Sequence, residues 1–427
     1  MELTSAFPTV YKLLTEVAFW YIIVPVFFLG GIVMAGVISR GIVTPIIKEG
    51  DDLVSIVRES LISAMEADCF KIKDRDIVAI TESVLARADG NYASIDEIAE
   101  DVKNKVGSND VGLVFPIFSR NRFAVCLKAI ARAMDKIYLM LPYPSDEVGN
   151  ELVNDDVFFE SGLNPYADTL SLDEFREKFG ITHHPFTGVD YVGYYDELIR
   201  EESCEPVIIF SNRAEKILDF TENVLCCDIH NRERTKARVL RAGGKNVLTL
   251  CDIMNAPVDG SGFCPKYGLL GSNKASDESV KLFPKNSREF VDAVQADLKE
   301  KLGVNLEVMV YGDGAFKSPT GRIWEFADPE ISPAYTAGLD GMPNEVKIKY
   351  IADNEFEDLS GAELQEAIRA KIRSKKLDNK NEMLSEGTTP RKLTELLASL
   401  CDLTSGSGDK GTPVVLVQNY FSNYADV

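Results

Sequence analysis

The stretch SREFVDAVQADLKEKLGVNLEVMVYGDG, residues 287–314, carries the reading of the fold. Phe290, Val294, Leu298 and Leu302 recur every four residues, which places them on one stripe of a helix. Ser287 is the expected N-cap and Gly303 the stop. Val304, Leu306, Val308 and Val310 then alternate, so the chain passes straight from helix into a strand with one apolar face. That strand runs into Gly312-Asp313-Gly314. A carboxylate between glycines at the end of a buried strand can reach a ligand with little steric obstruction. A turn-capping aspartate is the plainer alternative for Asp313.

Similar units lie to either side. GIVTPIIKEGDDL, residues 41–53, reads as a strand, a turn at Glu49-Gly50 and a helix start at Asp51-Asp52, with Leu53, Ile56, Val57 and Leu61 at helical spacing. IVAIT, residues 77–81, is short, apolar and β-branched, as a buried strand should be, and ESVLARADG follows it. Residues 122–140 mix basic and apolar residues at helical spacing. Residues 141–170, rich in Pro, Gly, Asn and Asp, read as a long irregular connection. PVIIFS and KNVLTLCDI read as strands, NRAEKILDFTENVL and residues 360–373 as helices, and LTSGSGDKGTPVVLVQNYF as a glycine loop feeding a final strand.

The chain has 427 residues, 46 Lys plus Arg and 67 Asp plus Glu, for a net charge of −21. Such a surface repels phosphate backbones, so no nucleic-acid partner is expected. Eight cysteines, scattered and without a CxxC pair, read as reduced thiols. From Val17 to Ser39 there is no charged residue. About 20 apolar residues cross a bilayer as a helix, so residues 17–36 are expected to form one transmembrane helix. A secretory signal, a buried core helix, or a tail belonging to the first strand of the body from about Val37 are the alternatives. Arg40 and Lys48 follow the run and only Lys12 precedes it, which favours a membrane-associated, single-pass protein with its large body in the cytoplasm.

The motifs are individually weak. Gly406-Ser407-Gly408-Asp409-Lys410-Gly411 matches GxGxxG, but a strand follows it where a dinucleotide fingerprint needs a helix. Its amides and lysine could still cradle a phosphate. No Walker P-loop, HExxH or GxSxG is present, and His183, His184 and His230 fit no metal-ligand spacing. What remains is a set of acids on or near glycine-flanked turns: Asp259, Asp313, Glu325 and Asp328. Hard divalent cations are held by such carboxylates together with substrate phosphates.

Five segments taken together resemble the coenzyme F(420)-0:L-glutamate ligase (γ-glutamyl ligase) family. They are TPIIKEGDDL (44–53), DIVAITESVLARADG (76–90), YGLLGSN (267–273), GVNLEVMVYGDGAF (303–316) and SGSGDKGTPVVLVQ (405–418). The resemblance implies an α+β fold, a two-lobed mixed-sheet body, here preceded by the transmembrane helix. It implies a homodimer that uses GTP (or ATP) and Mg²⁺ or Mn²⁺ to join an amino acid, glutamate in the family, to a small-molecule carboxylate acceptor. It divides the chain into an N-terminal segment 1–40, a ligase-like part 41–120, an insertion with irregular loops 121–206, and a ligase-like central and C-terminal part 207–427.

Carried over residue by residue, the resemblance places nucleotide contacts on Thr44, Pro45, Ser83, Arg87, Asn273, Gly406 and Gly408. It places one metal ligand on Asp313. A second metal-ligating aspartate of the family is Leu270 here, and a third acid falls on Ser407. Asp259, Glu325, Asp328 and Asp409 are the acids that could refill the site. No general base stands out. The reading is an amide-forming ligase working through an acyl phosphate; the alternative is a nucleotide- or metabolite-binding module that kept the fold and weakened the chemistry.

Overall fold

A computed structural model describes residues 36–314, 317–318, 322–323, 327–375, 391–406 and 408–426. Two sheets organise it. The first has five strands in the order Ile38–Ile42, Val414–Gln418, Ile77–Thr81, Glu307–Tyr311, Ala334–Tyr335. Ile77–Thr81 and Glu307–Tyr311 run parallel; the other neighbours are antiparallel. The continuous apolar run VVLVQ explains the interior place of Val414–Gln418, which is buried along its whole length.

Strand alternation sorts the side chains of this sheet onto two faces. Val78, Ile80, Val308, Val310, Val414 and Leu416 meet the helices Leu53–Ala67 and Ser287–Leu302 through Val57, Leu61, Val291, Val294 and Leu298. Ile77, Ala79, Met309, Tyr311, Val415 and Val417 meet Leu397, Ala398 and Cys401 of the helix Leu393–Ser405. The helix of the opening stretch begins at Ser287, with Asn286 in the cap position, and ends on left-handed Gly303 (φ 70°). Asp52 caps Leu53–Ala67 by accepting from the Ser55 amide at 3.2 Å.

The second sheet has six strands in the order Leu170–Ser171, Glu205–Phe210, Lys136–Leu141, Asp110–Val114, Asn223–Cys226, Asn246–Thr249. All pairs are parallel except that of Leu170–Ser171. Numbered along the chain, the five parallel strands lie in the order 3-2-1-4-5, the doubly wound arrangement. Helices Ile95–Val106, Phe123–Ala133 and Tyr191–Glu201 cover one face, and Arg232–Arg241 with the short turn Ala214–Asp219 covers the other. The expected irregular connection 141–170 contains a short helix, Asp155–Glu160, and the expected helix over residues 212–225 is instead the short 3-10 stretch Ala214–Asp219 followed by the strand Asn223–Cys226. A three-stranded ribbon, Tyr92–Ser94, Ser279–Lys281 and Asn273–Ser276, sits between the two sheets in the chain, and Lys317–Ser318 pairs with Arg322–Ile323.

Two expectations need correction. The protein is a mixed α/β structure and not an α+β body behind a membrane helix. The strands between residues 110 and 249 alternate with covering helices or turns, and parallel neighbours require such crossovers. Among the described residues, no helix is long and apolar enough to cross a membrane, so the single-pass, membrane-associated arrangement is not supported. The expected span 17–36 lies outside the described residues. The tail of the charge-free run is the edge strand Ile38–Ile42, pairing with Val414–Gln418.

Candidate active site at the carboxyl ends of the mixed sheet

Thr81 and Tyr311 end the two parallel strands of the first sheet, and Pro413 enters its neighbour at the same end. A cavity of about 430 Å³ opens there. Thr44, Pro45, Ser83, Arg87, Gly406 and Gly408, six of the seven residues that the resemblance assigns to the nucleotide, line it. They come from three segments, brought together by sheet pairing. The Thr44 amide donates to the Gly411 carbonyl at 3.1 Å and the Thr81 amide to the Pro413 carbonyl at 3.0 Å, which ties the glycine loop to both neighbours. Gly406 takes a left-handed conformation (φ 62°) at the end of Leu393–Ser405, so the chain can turn back there.

Asn273, the seventh, does not line the cavity. It lies opposite Lys281 on the ribbon, and the Lys281 ammonium donates to the Ser83 hydroxyl at 2.8 Å and to the Glu82 carboxylate at 3.1 Å. Both members of the Glu82–Lys281 pair are buried. Burial pushes the Glu82 carboxyl up, against the pull of the Lys281 ammonium. Glu82, beside Ser83, thus brings a buried carboxyl that the Lys281 ammonium matches.

Asp313 stands at the rim. Its carboxylate is held by Arg122, which also donates to Asp328 at 2.8 Å, and its own amide donates to Asp328 at 2.9 Å. The Asp328 side chain is 1% exposed. The flanking glycines have a different purpose from the one their sequence suggests. A Cβ on Gly312 would lie 2.0 Å from an Asp328 carboxylate oxygen, and one on Gly314 would lie 2.9 Å from Asp402. They make room for two more acids, not for a ligand. The Asp402 carboxylate accepts from the Gly314 amide at 3.1 Å, lines the cavity, and is pushed up by burial.

These residues do not form a ready site for the expected divalent metal. Among the described residues no group of three or more His, Cys, Asp or Glu could hold an ion. Asp313 and Asp328 do lie together, but a guanidinium sits across them. Leu270, where the family carries an acid, is buried in the core of the second sheet and lines the same small pocket as Arg122. Asp259 is on an exposed left-handed turn (φ 46°), Asp409 is exposed in the turn Gly408–Lys410, and Glu325 lies outside the described residues.

Reading the sequence misses Arg122, Lys281 and Asp402 as members of this site. Asp402 alone carries a local signal: it is an acid in the last turn of Leu393–Ser405, where the helix dipole disfavours negative charge. Nothing around Arg122 or Lys281 in the sequence names a partner some 200 residues away.

A mixed sheet with a glycine-lined cavity at its carboxyl ends, flanked by paired arginine and acids, suits an enzyme that handles phosphate and carboxylate groups. The family model for F420-0:gamma-glutamyl ligase matches residues 41–419, and the chain belongs to that family. It is a ligase, of the amide-forming kind. No curated protein matches it.

Proposed function

We propose that the cavity binds GTP or ATP and that the protein uses it to join an amino acid, glutamate in the family's reaction, to a carboxylate acceptor such as coenzyme F420-0. In the first step a carboxylate oxygen of the acceptor attacks the γ-phosphorus. The bond to the bridging oxygen breaks and the nucleoside diphosphate leaves. In the second step the amine nitrogen attacks the acyl carbon, the acyl–oxygen bond breaks, phosphate departs with the electron pair, and the amine proton passes to solvent.

The observation that carries this reading is the convergence of Thr44, Pro45, Ser83, Arg87, Gly406 and Gly408 on one cavity. Loop amides and a guanidinium suit phosphate oxygens. Arg122 neutralises Asp313 and Asp328, which would otherwise repel an incoming phosphate. No step is assigned to a metal. Catalysis rests on positioning and fixed charge.

The test is phosphate release from GTP and ATP with glutamate and coenzyme F420-0, beside calorimetric nucleotide binding. Arg87→Ala should raise KM for the nucleotide about tenfold, the scale of one charge-assisted hydrogen bond. Wild-type protein that binds neither nucleotide, or an Arg87→Ala variant with unchanged KM, would sink the assignment.

A further inference from the structure

The second sheet has its own crevice, remote in the fold from the ligase cavity. In a doubly wound sheet, ligands bind outside the carboxyl ends of the strands where the strand order reverses. Here the reversal falls between Asp110–Val114 and Asn223–Cys226. The helix after the first, Phe123–Ala133, packs on one face, and the helix after the second, Arg232–Arg241, packs on the other. A crevice of about 600 Å³ opens at that end of the sheet. Phe115, Pro142, Asn212 and Asp228, each one or two residues beyond a strand end, line it. That volume is the size of a metabolite site.

The polar groups facing this crevice are incompletely used. Asp228 is 1% exposed; Thr235 donates to one carboxylate oxygen at 2.7 Å, and the other oxygen is buried with no hydrogen-bond partner. A buried, unpartnered acceptor is costly and calls for a donor. Arg234 and Arg238 lie one turn apart on Arg232–Arg241 and reach the crevice, and neither guanidinium has a hydrogen bond or ion pair among the described residues. The Glu147 carboxylate accepts from the amides of Ile229, His230 and Asn231, in the turn just before that helix. Asp146, also on the crevice wall, is satisfied by the amides of Phe118, Val148 and Asn150.

We propose that this crevice is a second ligand site that takes a hydroxylated phosphate ester, with Arg234 and Arg238 binding the phosphate and Asp228 accepting from a hydroxyl. The complementarity is specific in charge. Two exposed cations on one helix face suit an anion, and one buried acceptor lining the same crevice suits a donor. A sugar phosphate or a nucleoside monophosphate carries both groups.

Calorimetry on the full chain at pH 8, with ribose 5-phosphate, AMP and inorganic phosphate as separate probes, tests it. Both esters should bind, and Arg234→Ser with Arg238→Ser should weaken them by about tenfold or more. Both arginines are exposed, and an unchanged melting temperature without ligand will show that the double variant folds. Asp228→Asn should weaken the esters by about fivefold and leave inorganic phosphate unaffected. AMP binding more tightly than ribose 5-phosphate identifies a nucleotide ligand; equal affinity identifies the sugar phosphate as the recognised part. Arg87→Ala should leave the ester affinities unchanged while impairing the ligase cavity, so the two readings fail separately. Absence of ester binding, inorganic phosphate binding as tightly as the esters, or loss of ester binding in Arg87→Ala instead of the double variant would overturn the proposal.

Discussion

Arg122 and Asp328 are 206 positions apart in the chain, and their side chains meet at 2.8 Å. The same guanidinium holds Asp313, the residue that the family resemblance marks for metal. A cationic side chain from the start of the helix Phe123–Ala133, which covers the second sheet, thus stands against an acid at the end of a first-sheet strand. Leu270, where the resemblance expects a carboxylate, is buried and lines the same small pocket as Arg122. The two acids together with the buried Glu82 raise the affinity of Arg122 for its proton, against the effect of its own burial.

Removing the guanidinium should therefore be costly. Arg122→Ala leaves Asp328 buried without its cation, and a loss of about 3–5 kcal/mol is expected in urea unfolding. Adding Asp328→Asn to that variant should recover part of it. The freed acids should also become open to a cation, so Mn²⁺ should raise the melting temperature of Arg122→Ala more than that of the wild type. Equal Mn²⁺ shifts in both would contradict the idea that the guanidinium occupies the place of positive charge.

Glu82 and Lys281 make a second buried pair at the cavity wall. Lys281→Met should destabilise by about 3 kcal/mol, because it strands the Glu82 carboxylate. The double variant Glu82→Gln, Lys281→Met should be closer to wild type in stability. It should still lose nucleotide affinity, since Ser83 loses the ammonium that orients its hydroxyl. A double variant as unstable as Lys281→Met would show that packing, not charge pairing, sets the cost.

Gly312 tests the crowding of the acids. An alanine Cβ there would come within 2.0 Å of an Asp328 oxygen, and Asp328 is buried and held by Arg122. Gly312→Ala should cost about 2 kcal/mol by forcing the carboxylate out of register. Chemical denaturation measures this, and the same substitution at open Gly408 should cost well under half as much in stability.

Two buried acids should contribute stability that is lost as pH rises. Burial raises Asp228 to about 7 and Asp146 to about 6, both above their ordinary values. Between about pH 4 and pH 7 the folded chain then holds more protons at these sites than the unfolded chain, so their contribution to the unfolding free energy decreases with pH across that window. Asp228→Asn should remove part of the slope. It should be more stable than wild type at pH 8 by an amount on the order of 3 kcal/mol and nearly equal to it at pH 4. Thermal melts across this range decide it; a flat difference would refute the assignment to Asp228.

Much of this was legible locally. The four-residue repeat of Phe290, Val294 and Leu298 and the alternation through Val310 specify a helix and a strand without reference to anything distant, because each pattern follows from backbone geometry. The residues that the resemblance assigns to the nucleotide could be named because the segments around Thr44, Ser83 and Gly406 keep their order, and six of those seven residues line one cavity. The second sheet was legible only in part. Glu205–Phe210 and Asn246–Thr249 were readable as strands, whereas Asn223–Cys226 fell inside an expected helix and Lys136–Leu141 began within a stretch of helical spacing, and a run such as PVIIF does not announce which strand will lie beside it.

What the sequence alone determined was the set of local elements, the glycine-flanked Asp313 and the family. What only the tertiary structure decided was the company those residues keep: Arg122 against Asp313 and Asp328, Lys281 against Glu82, and an Asp228 with one oxygen on Thr235 and the other unpartnered at the reversal of a parallel sheet. The reason is physical. Secondary structure follows from periodicities of two to four residues, whereas a buried charge answers to whatever lies within a few ångströms. For these residues that neighbour comes from another strand or helix, often in the other half of the chain.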